Sequence, residues 1–263
     1  MTLRAVLLAL LFAATALPAR AAESVLTLTP RPGVTLRVLV DRPAAPVGSV
    51  VLMAGGDGTL DLDAQGNIGS GLKGNHLVRT RADYVKAGYA VFVPDIASDQ
   101  RGTRGYRFTN DYANDVAMVI AEARKVAPPV AIVGTSRGAL SVAAVFTKQS
   151  AVRSDAAVIS SGVLLGNNGG SASTMGDMSR INVPVMLLRH RFDSCRESAP
   201  ADADRFKTML TGAPKVDIVT LDGGGPRGST ADPCGAAHYH GFYGIDDQAV
   251  AATVQWLRAN MRR

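Results

Sequence analysis

Only two cysteines occur in this 263-residue chain, and it has no run of like charges, no low-complexity tract and no internal repeat. The missing repeat excludes a solenoid or propeller. The missing biased tracts exclude a long disordered arm. No apolar stretch reaches the roughly 20 residues that a membrane-spanning helix needs. The stretch nearest the N-terminus, Ala5 to Leu17, has 13 residues. Basic residues are scattered without interleaved aromatics, which argues against nucleic acid as a partner.

What stands at the N-terminus is a short export signal. Arg4 supplies a positive start, Ala5 to Leu17 the apolar stretch, and Ala19-Arg-Ala21 a small-x-small cleavage site. Residues 1–21 are therefore expected to be removed, giving a periplasmic or secreted protein with no stable membrane anchor. No cysteine follows the site and no twin arginine precedes it, so neither a lipid anchor nor the twin-arginine route is expected. Without Arg4 and Arg20 the chain keeps 26 basic against 22 acidic residues, a mild excess. Residues 22–263, with 47% hydrophobic and 19% charged composition overall, suit one globular domain.

The most informative stretch is Gly134-Thr-Ser136-Arg-Gly138. It follows the apolar run Val130 to Val133 and precedes the helix-forming segment Ala139 to Phe146. A serine between two glycines at a strand-to-helix turn has the form of a nucleophile elbow. The turn is tight, so both flanking positions need residues without a side chain in the way. In a chain with 27 glycines the five-residue pattern alone is weak, and the strand and helix around it give it meaning.

Apolar runs and 3.6-residue stripes alternate along the rest of the chain. Strands are expected at Val25–Thr29, Val34–Val40, Ser49–Ala54, Ala90–Val93, Val130–Val133, Ala156–Ile159, Val183–Leu188 and Val216–Leu221. Helices are expected at Asn75–Lys86, Asn110–Val126 with Thr109 as cap, Ala139–Phe146, Asp202–Leu210, and a closing helix capped by Asp246. Ser161 to Arg180, rich in Gly, Ser and Asn, reads as a loop or small lid. Strands apolar on both faces and alternating with helices mean a mostly parallel sheet covered on both sides. Ligands of such sheets bind beyond the carboxyl ends of the strands. The Gly55 loop, Ser136, and the loops after Leu188 and Leu221 all fall at that edge.

A serine hydroxyl needs a base, and a histidine base needs a carboxylate to fix its tautomer. Ser136 is followed by Asp193, five residues past the Val183–Leu188 strand, and then by His240. Asp177 and Asp222 compete for the acid and His238 for the base, while His76 and His190 read as structural or surface residues. Cys195, two residues after Asp193, and Cys234, six before His240, are expected to pair in an oxidising compartment and to staple the two loops together. An oxyanion hole is expected from the backbone N–H of Arg137 and from the Gly55-Gly56-Asp57 loop, with Gly56 and Asp57 as the donors. Arg101, Arg104 and Arg107 with Arg137 suggest a basic mouth, Arg137 and Arg104 being the substrate contacts. The rival reading is ion pairs to Asp95, Asp99 or Asp111.

On the elbow at 134–138, the Gly55-Gly56 turn, Asp193 and His240-Gly-Phe242, the mature chain resembles the α/β-hydrolase superfamily. It is similar in particular to small exported bacterial hydrolases of unassigned substrate. The resemblance implies an α/β-hydrolase fold: a central, mostly parallel twisted sheet of about eight strands with helices on both faces. It also implies no cofactor and an acyl-enzyme mechanism. A small-molecule or short acyl substrate is expected, and a metal site built from His238, His240 and a cysteine fits poorly with paired cysteines. No long insertion follows the Ala156 strand, so little or no cap domain is expected.

Overall fold

The computed structural model describes residues 23–103, 105–148, 151, 153–166 and 169–261. Residues 1–21, expected from the sequence to be an export signal, and Arg104 lie outside the described residues. Eight strands form one sheet: β1 (Ser24–Arg31), β2 (Val34–Asp41), β3 (Gly48–Met53), β4 (Tyr89–Pro94), β5 (Val130–Thr135), β6 (Ala156–Ser160), β7 (Val185–His190) and β8 (Val216–Leu221). Their order is β1-β2-β4-β3-β5-β6-β7-β8. β2 runs antiparallel to both of its neighbours, and every pairing from β4 to β8 is parallel.

Strands β3 to β6 are buried at every residue, which explains their near-continuous apolar sequences. Alternate residues serve opposite faces. Val51 and Met53 join one core with α3 (Asn110–Val126), α4 (Gly138–Thr147) and α5 (Asp202–Lys207). Val50 and Leu52 join the other with α1 (His76–Arg79), α2 (Arg81–Lys86) and α6 (Asp246–Asn260).

Helix α3 has the expected bounds, and the Thr109 side chain accepts from the Tyr112 N–H at its start. The helix expected over 75–86 is two, because the Thr80 hydroxyl bonds back to the His76 carbonyl at 2.7 Å and the backbone leaves helical geometry there. β7 runs two residues later at both ends than expected, beginning at Val185 and ending at His190, and its later end brings the strand closer to Asp193. Asp246 is the first residue of α6 and not its cap, since its carboxylate is taken by His76 and Arg79. Among its described residues the Ser161–Arg180 segment forms no large cap domain. Two short 3-10 turns within it bury Ala172, Met175 and Met178 in the α3–α4 core.

Candidate active site

Ser136 sits at the carboxyl end of β5 with φ +54°, in the left-handed region that non-glycine residues avoid. Neighbouring hydrogen bonds hold it there: its N–H donates to the Ser160 carbonyl at 3.0 Å, and its own carbonyl accepts from Ala139 and Val163 at 3.1 Å. The two glycines follow from close packing. A Cβ at Gly134 would collide with the Gly138 carbonyl, and one at Gly138 with the Met53 carbonyl. Helix α4 can therefore start against β3 and β5 only through these glycines.

The loop after β3 lies beside the serine. A Cβ on Gly55 would stand 3.0 Å from the Ser136 Cβ and 3.2 Å from the Asn75 amide nitrogen, so residue 55 has room for hydrogen alone. Gly56 has φ +56°, and the Gly58 N–H closes the turn onto the Gly55 carbonyl at 3.1 Å. Among the described residues, no protein acceptor takes the backbone N–H of Gly56, Asp57 or Arg137. Unpaired N–H groups on both sides of a serine are the elements of an anion site.

Asp193 and His240 are in contact. His240 Nδ1 lies 2.9 Å from Asp193 Oδ2, with both side chains buried. The carboxylate takes two further donors, the Cys195 N–H on Oδ1 at 2.9 Å and the Ser198 hydroxyl on Oδ2 at 3.1 Å. Ser198 Oγ is also 2.9 Å from His240 Nδ1, so it lies against both partners. With Nδ1–H given to the carboxylate, Nε2 is the acceptor nitrogen. It is buried and has no hydrogen-bond partner among the described residues, Ser136 included.

His240 is placed by its surroundings. It belongs to a 3-10 turn, Tyr239–Gly241, in which a Cβ at Gly241 would collide with the Ala236 carbonyl. Arg79 clamps this turn, donating to Gly241 O at 2.6 Å and to Ala236 O at 3.0 Å while pairing with Asp246. Tyr239 stacks on His190 at 4.7 Å between ring centroids, and Phe242 is fully buried against His76 and His190. The Cys195–Cys234 disulfide joins the segment carrying Asp193 to the one leading into His240. Each cysteine N–H also bonds the side chain of the aspartate two residues before it, Asp193 or Asp232.

The competing carboxylates are engaged elsewhere. Asp177 caps its own turn through the Ser179 N–H, whose bonds hold its carboxyl below the usual range. Asp222 is exposed and pairs with Arg191 at 3.4 Å. His238 packs edge-on against Tyr239, and its Nδ1 has no partner among the described residues. His190 is buried, with Nδ1 accepting from the Phe192 N–H and Nε2 facing the Gly223 carbonyl, so it is structural. His76 is likewise structural. Burial pushes its pKa below the ordinary histidine value, and as a neutral ring it meets Asp246 through Nδ1 at 3.0 Å.

The arginines divide. Arg101 is committed to Asp61 and Asp95, at 2.6 and 2.9 Å. Arg107 and Arg137 make no ion pair with any described carboxylate. Together with Gly56, Asp57, Tyr106, Phe108 and Gly170 they line a cleft of about 830 Å³ that opens beside the elbow. Burial, and then the charge of Arg107, hold the Arg137 guanidinium below the usual arginine range.

Ser198 and Arg79 were not anticipated from the sequence. Neither sits in a motif, and both act through loops that only the folded chain brings together. Arg107 was anticipated only as one of a basic group on the same loop.

Several solved structures share this architecture. A CIB-like hydrolase from Thermoplasma acidophilum matches with TM-score 0.61 at 18% identity, covering 92% of this chain and 100% of that one. Thermogutta terrifontis esterase 2, solved phosphoramylated by tabun, matches with TM-score 0.63 at 13% identity, covering 92% and 96%. An acylaminoacyl peptidase, solved with Z-Gly-Gly-Phe-chloromethyl ketone, matches with TM-score 0.60 at 13% identity over 92% of this chain and 42% of the peptidase. No family model and no curated protein matches the sequence. The likeness to these structures, with the strand order above, shows that the chain has the α/β-hydrolase fold, without a large cap domain.

Proposed function

We propose that the chain is an exported serine hydrolase that cleaves a carboxylic ester on a small or medium-sized substrate. His240 Nε2 takes the Ser136 hydroxyl proton as Oγ attacks the ester carbonyl carbon. The N–H groups of Arg137, Gly56 and Asp57 hold the oxyanion of the tetrahedral intermediate. His240 then gives the proton to the departing alcohol, leaving an acyl-serine. Water, deprotonated by the same nitrogen, releases the acid and restores the serine. Asp193 keeps the imidazole proton on Nδ1 and stabilises the imidazolium that forms. Contacts between nucleophile and base are often long in a ligand-free enzyme and tighten with substrate bound.

The observation that carries this reading is the strained Ser136 at the end of β5, set at the same sheet edge as the buried His240–Asp193 pair. The fold supports a hydrolase, since esterases and a peptidase share it. Export is supported by the signal-like residues 1–21 and by a cysteine pair suited to an oxidising compartment.

A panel of chromogenic esters of increasing acyl length, run beside peptide amides, tests the activity. Esters should be turned over, with the rate falling at least about 10³-fold in Ser136→Ala. Equal rates in Ser136→Ala, or amides cleaved faster than every ester, would overturn the assignment.

A further inference from the structure

The cleft beside the elbow holds a positive charge that pairs with no carboxylate among the described residues. Arg107 is 5% exposed, and its one hydrogen bond among the described residues runs from Nη2 to the Ala54 carbonyl at 2.9 Å. Its Nε and Nη1 are buried with no acceptor. An arginine kept only for structure has its donors satisfied, because leaving charged donors buried and unpaired costs more than the bonds it makes return. The fold nevertheless makes room for this one. Gly58 has φ +86°, and a Cβ there would occupy the space of the Arg107 guanidinium.

A second guanidinium faces the same cleft. Arg137 follows the nucleophile, and its side chain donates to the Gly169 carbonyl at 3.1 Å, which holds it along the wall. Two like charges set beside each other repel, and Arg137 registers the charge of Arg107. One carboxylate, Asp57, lines the cleft with them, and it ion-pairs with neither. Two arginines against one aspartate leave an excess of positive charge among the cleft's described lining residues, with Glu197 acting on Arg137 from outside that lining. An anionic group offsets that excess. A planar carboxylate also matches a guanidinium fork.

We infer that this cleft is a substrate subsite for a carboxylate, with Arg137 as its contact and Arg107 as the buried charge beneath it, so that the preferred esters carry a free carboxylate. The inference deepens the reading of Ser136 as nucleophile and rests on it. Gly56, Asp57 and Arg137, the proposed oxyanion donors, line the same cleft as Arg107, so a carboxylate bound there can belong to the same molecule as the scissile carbonyl. The buried Arg107 charge acts through protein of low dielectric, which strengthens its pull on an anion.

The test compares kcat/KM for mono-4-nitrophenyl glutarate with that for its neutral methyl ester, within each protein. In the wild type the ratio of anionic to neutral substrate should exceed about tenfold and shrink as salt is added. In Arg107→Met and in Arg137→Met it should fall toward one. Arg101→Met, which removes a residue of the same loop committed to Asp61 and Asp95, should keep the wild-type ratio. A wild-type ratio at or below one overturns the inference, as does a ratio kept in both Arg107→Met and Arg137→Met, or an equal loss in Arg101→Met. Glutarate binding, read as a thermal shift in Ser136→Ala, separates this inference from the catalytic one. Stabilisation by millimolar glutarate that vanishes in both arginine variants supports the subsite even if Ser136 is not the nucleophile. Absence of any glutarate shift, or a larger shift with inorganic phosphate, counts against a carboxylate site. Arg137→Met leaves the Arg107–Ala54 bond intact, so it reads the subsite if Arg107→Met fails to fold.

Discussion

His240 presents Nδ1 to Asp193 Oδ2 at 2.9 Å and leaves Nε2, on the other side of its ring, buried and without a partner among the described residues. A buried nitrogen without an acceptor or donor carries a desolvation cost. In a site built to receive a proton from a hydroxyl, that cost has a purpose.

Asp193→Asn should lower kcat by about 10³- to 10⁴-fold while the fold stays intact, because the amide presents the wrong partner to Nδ1. Asp222→Asn and Asp177→Asn should stay within about twofold of wild type, since one pairs with Arg191 and the other caps its own turn. Steady-state kinetics on one ester decides this. A near-normal Asp193→Asn would move the acid elsewhere.

Ser198→Ala removes one of three donors from the Asp193 carboxylate and the hydroxyl packed against His240 Nδ1. A lost hydrogen bond to a charged group is worth about 1.5–3 kcal/mol, so kcat should fall about tenfold or more with KM little changed. An increase in KM alone would mean that Ser198 acts on substrate binding and not on the orientation of the base.

Reducing the Cys195–Cys234 bridge should destabilise the fold by up to about 4 kcal/mol, the chain-entropy figure for a loop of this length. Urea unfolding with and without reductant measures it. Activity should fall at reductant concentrations that leave most of the protein folded, because the bridge ties the Asp193 loop to the segment before His240. Loss of activity strictly parallel to unfolding would reduce the bridge to a stabilising role.

His76 sets part of the acid limit of stability. Burial first, opposed by its bond to Asp246, lowers its folded pKa below 6.5, so the unfolded chain binds this proton more readily. Stability therefore falls as pH drops through about 6.5, where the unfolded histidine charges. Asp246 adds to the loss at lower pH. Burial raises its carboxyl, but the bonds from His76 and Arg79 outweigh that and hold it low, so its contribution disappears as pH falls through the folded value. In His76→Gln the urea midpoint should vary less between pH 7 and pH 5. An unchanged slope would assign that proton to another group.

The sheet was legible because buried parallel strands leave long apolar runs, and helix α3 because its stripe and Thr109 cap are local features. The elbow was legible because close packing at Gly134 and Gly138 forces glycine onto both sides of Ser136. Other features were not. The break at Thr80 depends on one hydroxyl turning back to the His76 carbonyl, which an apolar pattern does not record. Arg79 reaches residues more than 150 positions away, so nothing near it in sequence announces its hold on the His240 turn. Arg101 and Arg107 look alike in sequence, and only the fold gives one its carboxylates and denies them to the other.

Labelling with a fluorophosphonate probe tests the central claim most directly, because the probe reports an activated serine and needs no knowledge of the substrate. The oxidised wild-type protein should take up one equivalent, with the adduct mapped by mass spectrometry to the peptide carrying Ser136, and Ser136→Ala should take up none. No labelling of folded wild type, or labelling unchanged in Ser136→Ala, would contradict the account.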